Sequence, residues 1–92
     1  MVTVHIPTAL RGFSRGREVV LVSGRTLRQV FDDLDRECPG IKAQLVDEDE
    51  AGIRPGLAIA VNDELTSQGL IQAVPEDGTI LILPAMGGGV IA

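Results

Sequence analysis

Apolar residues fall along this chain in two rhythms, and the switches between them mark its elements. Val2-Thr3-Val4-His5-Ile6 alternates, is rich in β-branched residues, and predicts a first strand that Pro7 ends. Residues 8–17 hold Gly12, Gly16 and three arginines and read as a loop. Glu18-Val19-Val20-Leu21-Val22 predicts a second strand. Its continuous apolar run predicts burial on both faces or a place at the sheet centre. The rhythm then changes. Leu27, Val30, Phe31 and Leu34 follow at i, i+3, i+4 and i+7, one apolar stripe of a helix. Thr26 and Gln29 have capping-box spacing at its start, and Pro39-Gly40 stops it. Asp32, Asp33, Asp35 and Arg36 take the solvent side.

The alternating rhythm returns later. Residues 41–46 predict a short helical turn, and 47–56 an acidic loop. Leu57-Ala58-Ile59-Ala60-Val61 predicts strand three, Asn62-Asp63 a tight turn, and Glu64-Leu65-Thr66 a short strand. Pro75-Glu76-Asp77-Gly78 marks another turn before the last strand, Thr79-Ile80-Leu81-Ile82-Leu83. One single-faced helix among about five strands needs one sheet face to cover. That order predicts an α+β chain with the β-grasp plan, a mixed sheet wrapped on one helix. First and last strands would lie side by side at its centre. Residues 1–86 are expected to form the domain, and 87–92 a flexible glycine tail with a three-residue extension.

Ninety-two residues suit one small domain, which buries only about 60–65% of its unfolded surface. With two Phe and no Trp or Tyr, aliphatic side chains must carry the core. A net charge of −5 disfavours nucleic acid and acidic membranes, and favours docking on basic partner surfaces. Cys38 is the only cysteine, so no internal disulfide forms, and with one His there is no zinc site. With no basic-then-apolar leader and no membrane-length apolar run, the expected compartment is the reducing cytoplasm.

Chemistry concentrates in Ile82-Leu83-Pro84-Ala85-Met86-Gly87-Gly88-Gly89-Val90-Ile91-Ala92. Glycine lacks Cβ, so an extended backbone at Gly87, Gly88 and Gly89 can thread a channel that side chains would block. A freed glycine carboxylate, activated by ATP, could accept sulfur. His5 and Cys38 are read as structural, with Cys38 buried or neutral. The Asp47-Glu48-Asp49-Glu50 run lacks the spacing of a calcium loop. Arg11, Arg15 and Arg17 are read as a solvent-exposed loop. Lys42 is the only lysine, which leaves a self-linking modifier little choice of acceptor.

The stretches Val2–Arg11, Thr26-Leu27 through Asp33-Leu34, Gly40-Ile41, Val61-Asn62-Asp63-Glu64 and Ile82-Leu83-Pro84-Ala85, taken with the glycines, resemble the MoaD/ThiS family of ubiquitin-like sulfur carriers. The nearest likeness is to the thiocarboxylate carrier of cysteine biosynthesis. The resemblance implies a sulfur carrier with no catalytic site and no bound cofactor or metal. It places the family's terminal Gly-Gly on Gly88-Gly89, with Gly89 adenylated and then thiocarboxylated. Implied partners are a ubiquitin-activating-like adenylyltransferase that uses ATP and a sulfurtransferase or persulfide donor. The implied acceptor is a cysteine-synthase-like enzyme or a molybdopterin-synthase large subunit, with thiamine synthesis a further destination. Family members commonly stop at Gly-Gly. Here Val90 follows Gly89, which implies either a precursor cut between Gly89 and Val90 by a processing metalloprotease or a relative that has lost activation. The alternative function is a ubiquitin-like modifier or docking module.

Overall fold

The computed structural model describes residues 1–47 and 52–84. Five strands form one sheet: β1 (Val2–His5), β2 (Val19–Val22), β3 (Leu57–Val61), β4 (Glu64–Leu65) and β5 (Thr79–Pro84). Helix α1 (Leu27–Glu37) lies between β2 and β3 in the chain, followed by the short α2 (Lys42–Leu45). The strand order is β2-β1-β5-β3-β4. β1 and β5 pair in parallel, with His5 opposite Leu81, and the other pairs are antiparallel. This is the expected mixed β-grasp sheet, with the first and last strands adjacent inside it.

The helix forms where the apolar period places it. Thr26 is the N-cap, and its hydroxyl oxygen accepts from the Gln29 backbone N–H at 3.3 Å. The Gln29 side chain does reach back, but it accepts from Arg25 N–H at 2.8 Å, one residue before the cap. Leu27, Val30, Phe31 and Leu34 are all fully buried. They share one core with Val2, Val4, Val20, Val22, Ile59, Val61, Ile80 and Ile82, the inward residues of four strands.

The acidic side of α1 does more than face water. Asp33 accepts from Ser23 N–H at 2.9 Å and ties the helix to the end of β2. Asp35 accepts from Gly40 N–H at 3.1 Å and Lys42 N–H at 3.0 Å, holding the corner after the helix. Asp32 pairs with the Lys42 ammonium.

Two sequence expectations need correction. β2 lies at the sheet's edge, not its centre, and only its inward residues are buried. Val20 and Val22 enter the core, while Val19 and Leu21 are 41% and 55% exposed. An edge strand under one helix has only one face to bury, so the second apolar pair serves the outer face. Residues 8–17 are also tightly wound rather than a plain exposed loop. A 3-10 turn spans Thr8–Leu10. Ser14 is completely buried, and its hydroxyl donates to the Arg17 carbonyl at 2.7 Å. Arg17 Nε donates to the Ser14 carbonyl at 2.9 Å in return.

The tight turn is as expected: Asn62 and Asp63 have φ of 50° and 72°, both left-handed. Asn62 also accepts from Thr79 N–H through its side-chain oxygen at 2.8 Å, joining this turn to the start of β5. Gly24 is required by close approach. A Cβ there would lie 2.7 Å from the Val30 backbone nitrogen, inside α1. Gly24→Ala is therefore expected to destabilise the fold by about 1–3 kcal/mol, through overpacking against backbone that cannot yield. Urea unfolding of the variant checks this, and an unchanged midpoint would refute it.

Candidate functional site: the end of β5 and the surface around it

Gly87, Gly88, Gly89 and Val90 lie outside the described residues, as does the expected flexibility of residues 87–92. Most of the acidic run at 47–50 does too. The described structure shows the platform from which the tail departs. β5 sits between β1 and β3, held by ladders on both sides, and its last residue, Pro84, pairs with Leu57. Ile80 and Ile82 anchor the strand in the core. A chain leaving such a strand starts from a fixed point and direction, as presenting a tail to another protein requires.

The sheet face opposite α1 carries apolar residues alongside Thr3, His5 and Thr79. Cross-strand register sets Val19 beside His5, His5 beside Leu81, Leu81 beside Ala60, and Ala60 beside Leu65. Leu83 continues this face toward the exit and is 39% exposed, and Leu65 is 67% exposed. An exposed apolar strip of this kind marks a protein-contact surface. This surface differs from the sequence expectation for β2. Its signal was the unbroken apolar run of β2, which was read as burial.

His5 is exposed on that outer face. Cys38 ends α1 as its C-cap and is fully buried. Burial pushes its thiol up from the ordinary 9.0, against the opposing pull of Arg17, whose guanidinium lies 3.8 Å from Sγ. The native state thus favours the neutral thiol. That contribution to stability is fully present below pH 9.0 and is lost as pH rises through the raised native value. At neutral pH the native thiol is expected to resist a thiol-specific reagent until denaturant is added. Prompt labelling of the folded protein would contradict this. Among the described residues no group of three or more His, Cys, Asp or Glu could hold a metal ion. None of their helices is long and apolar enough to cross a membrane.

Arg11 and Arg54 stand on either side of the β5 exit. Arg11 Nε donates to the Ile6 carbonyl at 3.1 Å, and Arg54 Nη1 to the Ala43 carbonyl at 2.9 Å. Both border an open groove of about 810 Å³, together with Leu10, Leu57, Leu81 and Leu83.

A single-helix β-grasp sheet with exposed apolar residues on its outer face defines a ubiquitin-like protein. The ThiS family model matches residues 4–89, and the chain belongs to that family. The chain is similar to the sulfur carrier protein CysO of Mycobacterium tuberculosis, with 41% identity over 91 residues, covering 96% of this chain and 98% of the relative. It also resembles CysO in the crystal structure of the Amycolatopsis orientalis BexX/CysO complex. There the TM-score is 0.87 and the identity 40%, covering 97% of this chain and 100% of that one. The small archaeal modifier protein 1 of Methanosarcina acetivorans shares the fold, with a TM-score of 0.76 and 24% identity over 96% of this chain and 95% of that one.

Proposed function

We propose that this protein is a sulfur carrier whose working group is the carboxylate of Gly89, freed by hydrolysis of the Gly89–Val90 bond. The observation that carries this reading is the extent of the family match. It runs from β1 to Gly89 and stops there, at the third of three glycines just beyond a core strand. While Val90 remains attached, the Gly89 carbonyl is an amide and offers no carboxylate. A processing metalloprotease would supply the cut. Residues 1–86 then act as the docking body and 87–89 as the threading tail.

The proposed chemistry belongs to partner enzymes. A ubiquitin-activating-like adenylyltransferase joins the carboxylate to AMP and releases pyrophosphate. The terminal sulfur of a persulfide attacks the acyl carbon and AMP leaves, giving an acyl disulfide. A second thiol attacks the donor's sulfur. The S–S bond breaks, a new disulfide forms on the donor, and the thiocarboxylate departs on Gly89. The carrier itself binds no cofactor and supplies no acid, base or nucleophile beyond its terminus. Likeness to CysO supports a cysteine-synthase-like acceptor ahead of a molybdopterin-synthase large subunit. The outer sheet face supports docking on such partners.

The test is intact mass. The chain ending at Gly89 is incubated with ATP, the adenylating enzyme and a persulfide donor. Its mass should rise by the difference between sulfur and oxygen. Isopeptide conjugates on target lysines with no such rise would favour a ubiquitin-like modifier instead.

A further inference from the structure

Side-chain amines are scarce on this chain. Of its eight basic residues seven are arginine, and the only ε-amine belongs to Lys42. A guanidinium keeps its charge and does not take up acyl groups at neutral pH. The one remaining amine is held in place. Lys42 opens α2, and two carboxylates of α1 secure it at both ends. Asp35 accepts from its backbone N–H at 3.0 Å, and Asp32 forms an ion pair with its ammonium. Asp32 and Asp35 are three residues apart and so share one face of the helix. The same Asp35 oxygen accepts from Gly40 N–H at 3.1 Å. Cys38 and Ile41 are fully buried beside these contacts, which fixes the corner on which Lys42 stands. The Lys42 side chain is only 22% exposed, and that of Asp32 43%. Many surface pairs contribute little because two long side chains must be ordered to form them. Here the backbone of Lys42 is already fixed, so less freedom is lost.

We propose that Asp32 withholds the Lys42 amine from acyl groups, so that Lys42 is not an acceptor for the activated terminus of another copy of this chain. The proposal rests on the functional reading above and adds acceptor selectivity to it. An adenylated Gly89 is an electrophile toward a free amine as well as toward sulfur. For self-linkage, Lys42 Nζ would lose a proton to solvent and attack the Gly89 acyl carbon with its lone pair. AMP would leave and an isopeptide bond would form. An ammonium has no lone pair, and a neighbouring carboxylate favours that charged form. The pair must therefore open, and Nζ must shed its proton, before attack. Each self-linkage would also consume the carboxylate that is to carry sulfur. Asp32 acts here as a positioning residue, through its hold on Lys42.

The experiment is acetylation of the full-length chain by an N-hydroxysuccinimide ester near neutral pH, followed at Lys42 by peptide mapping. Lys42 should acetylate about threefold or more slowly in the folded chain than in the same chain unfolded in guanidinium chloride. Asp32→Asn should recover most of that difference, and Asp32→Glu only part of it. Asp33→Asn makes the same change of charge one residue away and should leave Lys42 slow. Thermal unfolding checks that the variants fold. Should Asp32→Asn melt, the wild-type chain is read by itself: added salt screens the pair and should speed acetylation of folded Lys42. A rate indifferent to salt would then overturn the proposal. Equal rates in the folded and unfolded wild-type chain would overturn it, as would folded Asp32→Asn no faster than wild type. So would Asp33→Asn as fast as Asp32→Asn, by assigning the effect to net charge. A Gly89–Lys42 isopeptide would count against it too, if formed by the wild-type chain ending at Gly89 with ATP and the adenylating enzyme but no sulfur donor. The functional reading is judged separately by thiocarboxylate formation on that chain. That reaction can succeed while Lys42 acetylates freely.

Discussion

Phe31→Ala is expected to cost about 3–5 kcal/mol, the range for emptying a fully buried aromatic site. Small domains have only about 5–15 kcal/mol in total, so this change removes a large share. Phe31 is the largest fully buried side chain and sits in the middle of the helix stripe. The other phenylalanine, Phe13, is only partly buried, and it packs near Gly40 at the end of α1. No second ring is available to fill the cavity, and the core around it is built from aliphatic side chains. The melting temperature should fall by about 12–40 °C at roughly 4–8 °C per kcal/mol. Urea unfolding followed by circular dichroism is the suitable measurement, since the chain has no Trp or Tyr to report by fluorescence. A loss below about 1 kcal/mol would mean that the core closes over the gap, contrary to the packing described.

The helix was legible because its information is local. Period, cap and stop all lie within residues 26–40, and each demands a particular neighbour only a few residues away. The pairing of β1 with β5 was legible for a weaker reason: few sheets can cover one helix with these connections. β2 was misread because an apolar run looks the same whether its second face is buried or offered to a partner. Val19 and Leu21 of β2 face outward, on the same side of the sheet as Leu65 and Leu83. Ser14 was illegible because nothing in a Gly- and Arg-rich segment says that the Arg11 and Arg17 carbonyls will close on one hydroxyl, at 3.3 and 2.7 Å. The Arg11–Arg54 bracket was invisible for a topological reason. Forty-three positions separate the two arginines in the chain, and only the order β1-β5-β3 sets them on opposite sides of one strand end. The glycine tail was legible as composition, and its chemistry is a matter for experiment.

In the chain ending at Gly89, Gly89→Ala is expected to reduce thiocarboxylate formation about a hundredfold or more. The reason is geometric. Adenylation needs the carboxylate oxygen in line with the α-phosphate, and a displacement of about 1 Å in such a reaction costs on the order of a hundredfold. A channel fitted to glycine has no room for a Cβ, so alanine must shift the backbone or stay outside. Gly88→Val adds more bulk one residue earlier and should be worse. Gly12→Ala is the matched control: a Cβ at that position meets nothing within 4 Å, and it leaves the tail unchanged. The full-length chain should give no product until the Gly89–Val90 bond is cut, because an amide carbonyl cannot be adenylated as a carboxylate can. Pyrophosphate release and intact mass together separate failure of adenylation from failure of sulfur transfer. Thiocarboxylate forming at the normal rate on Gly89→Ala would remove the steric account of the tail. Its formation on the uncut chain, with Val90 still attached, would sink the precursor reading as well.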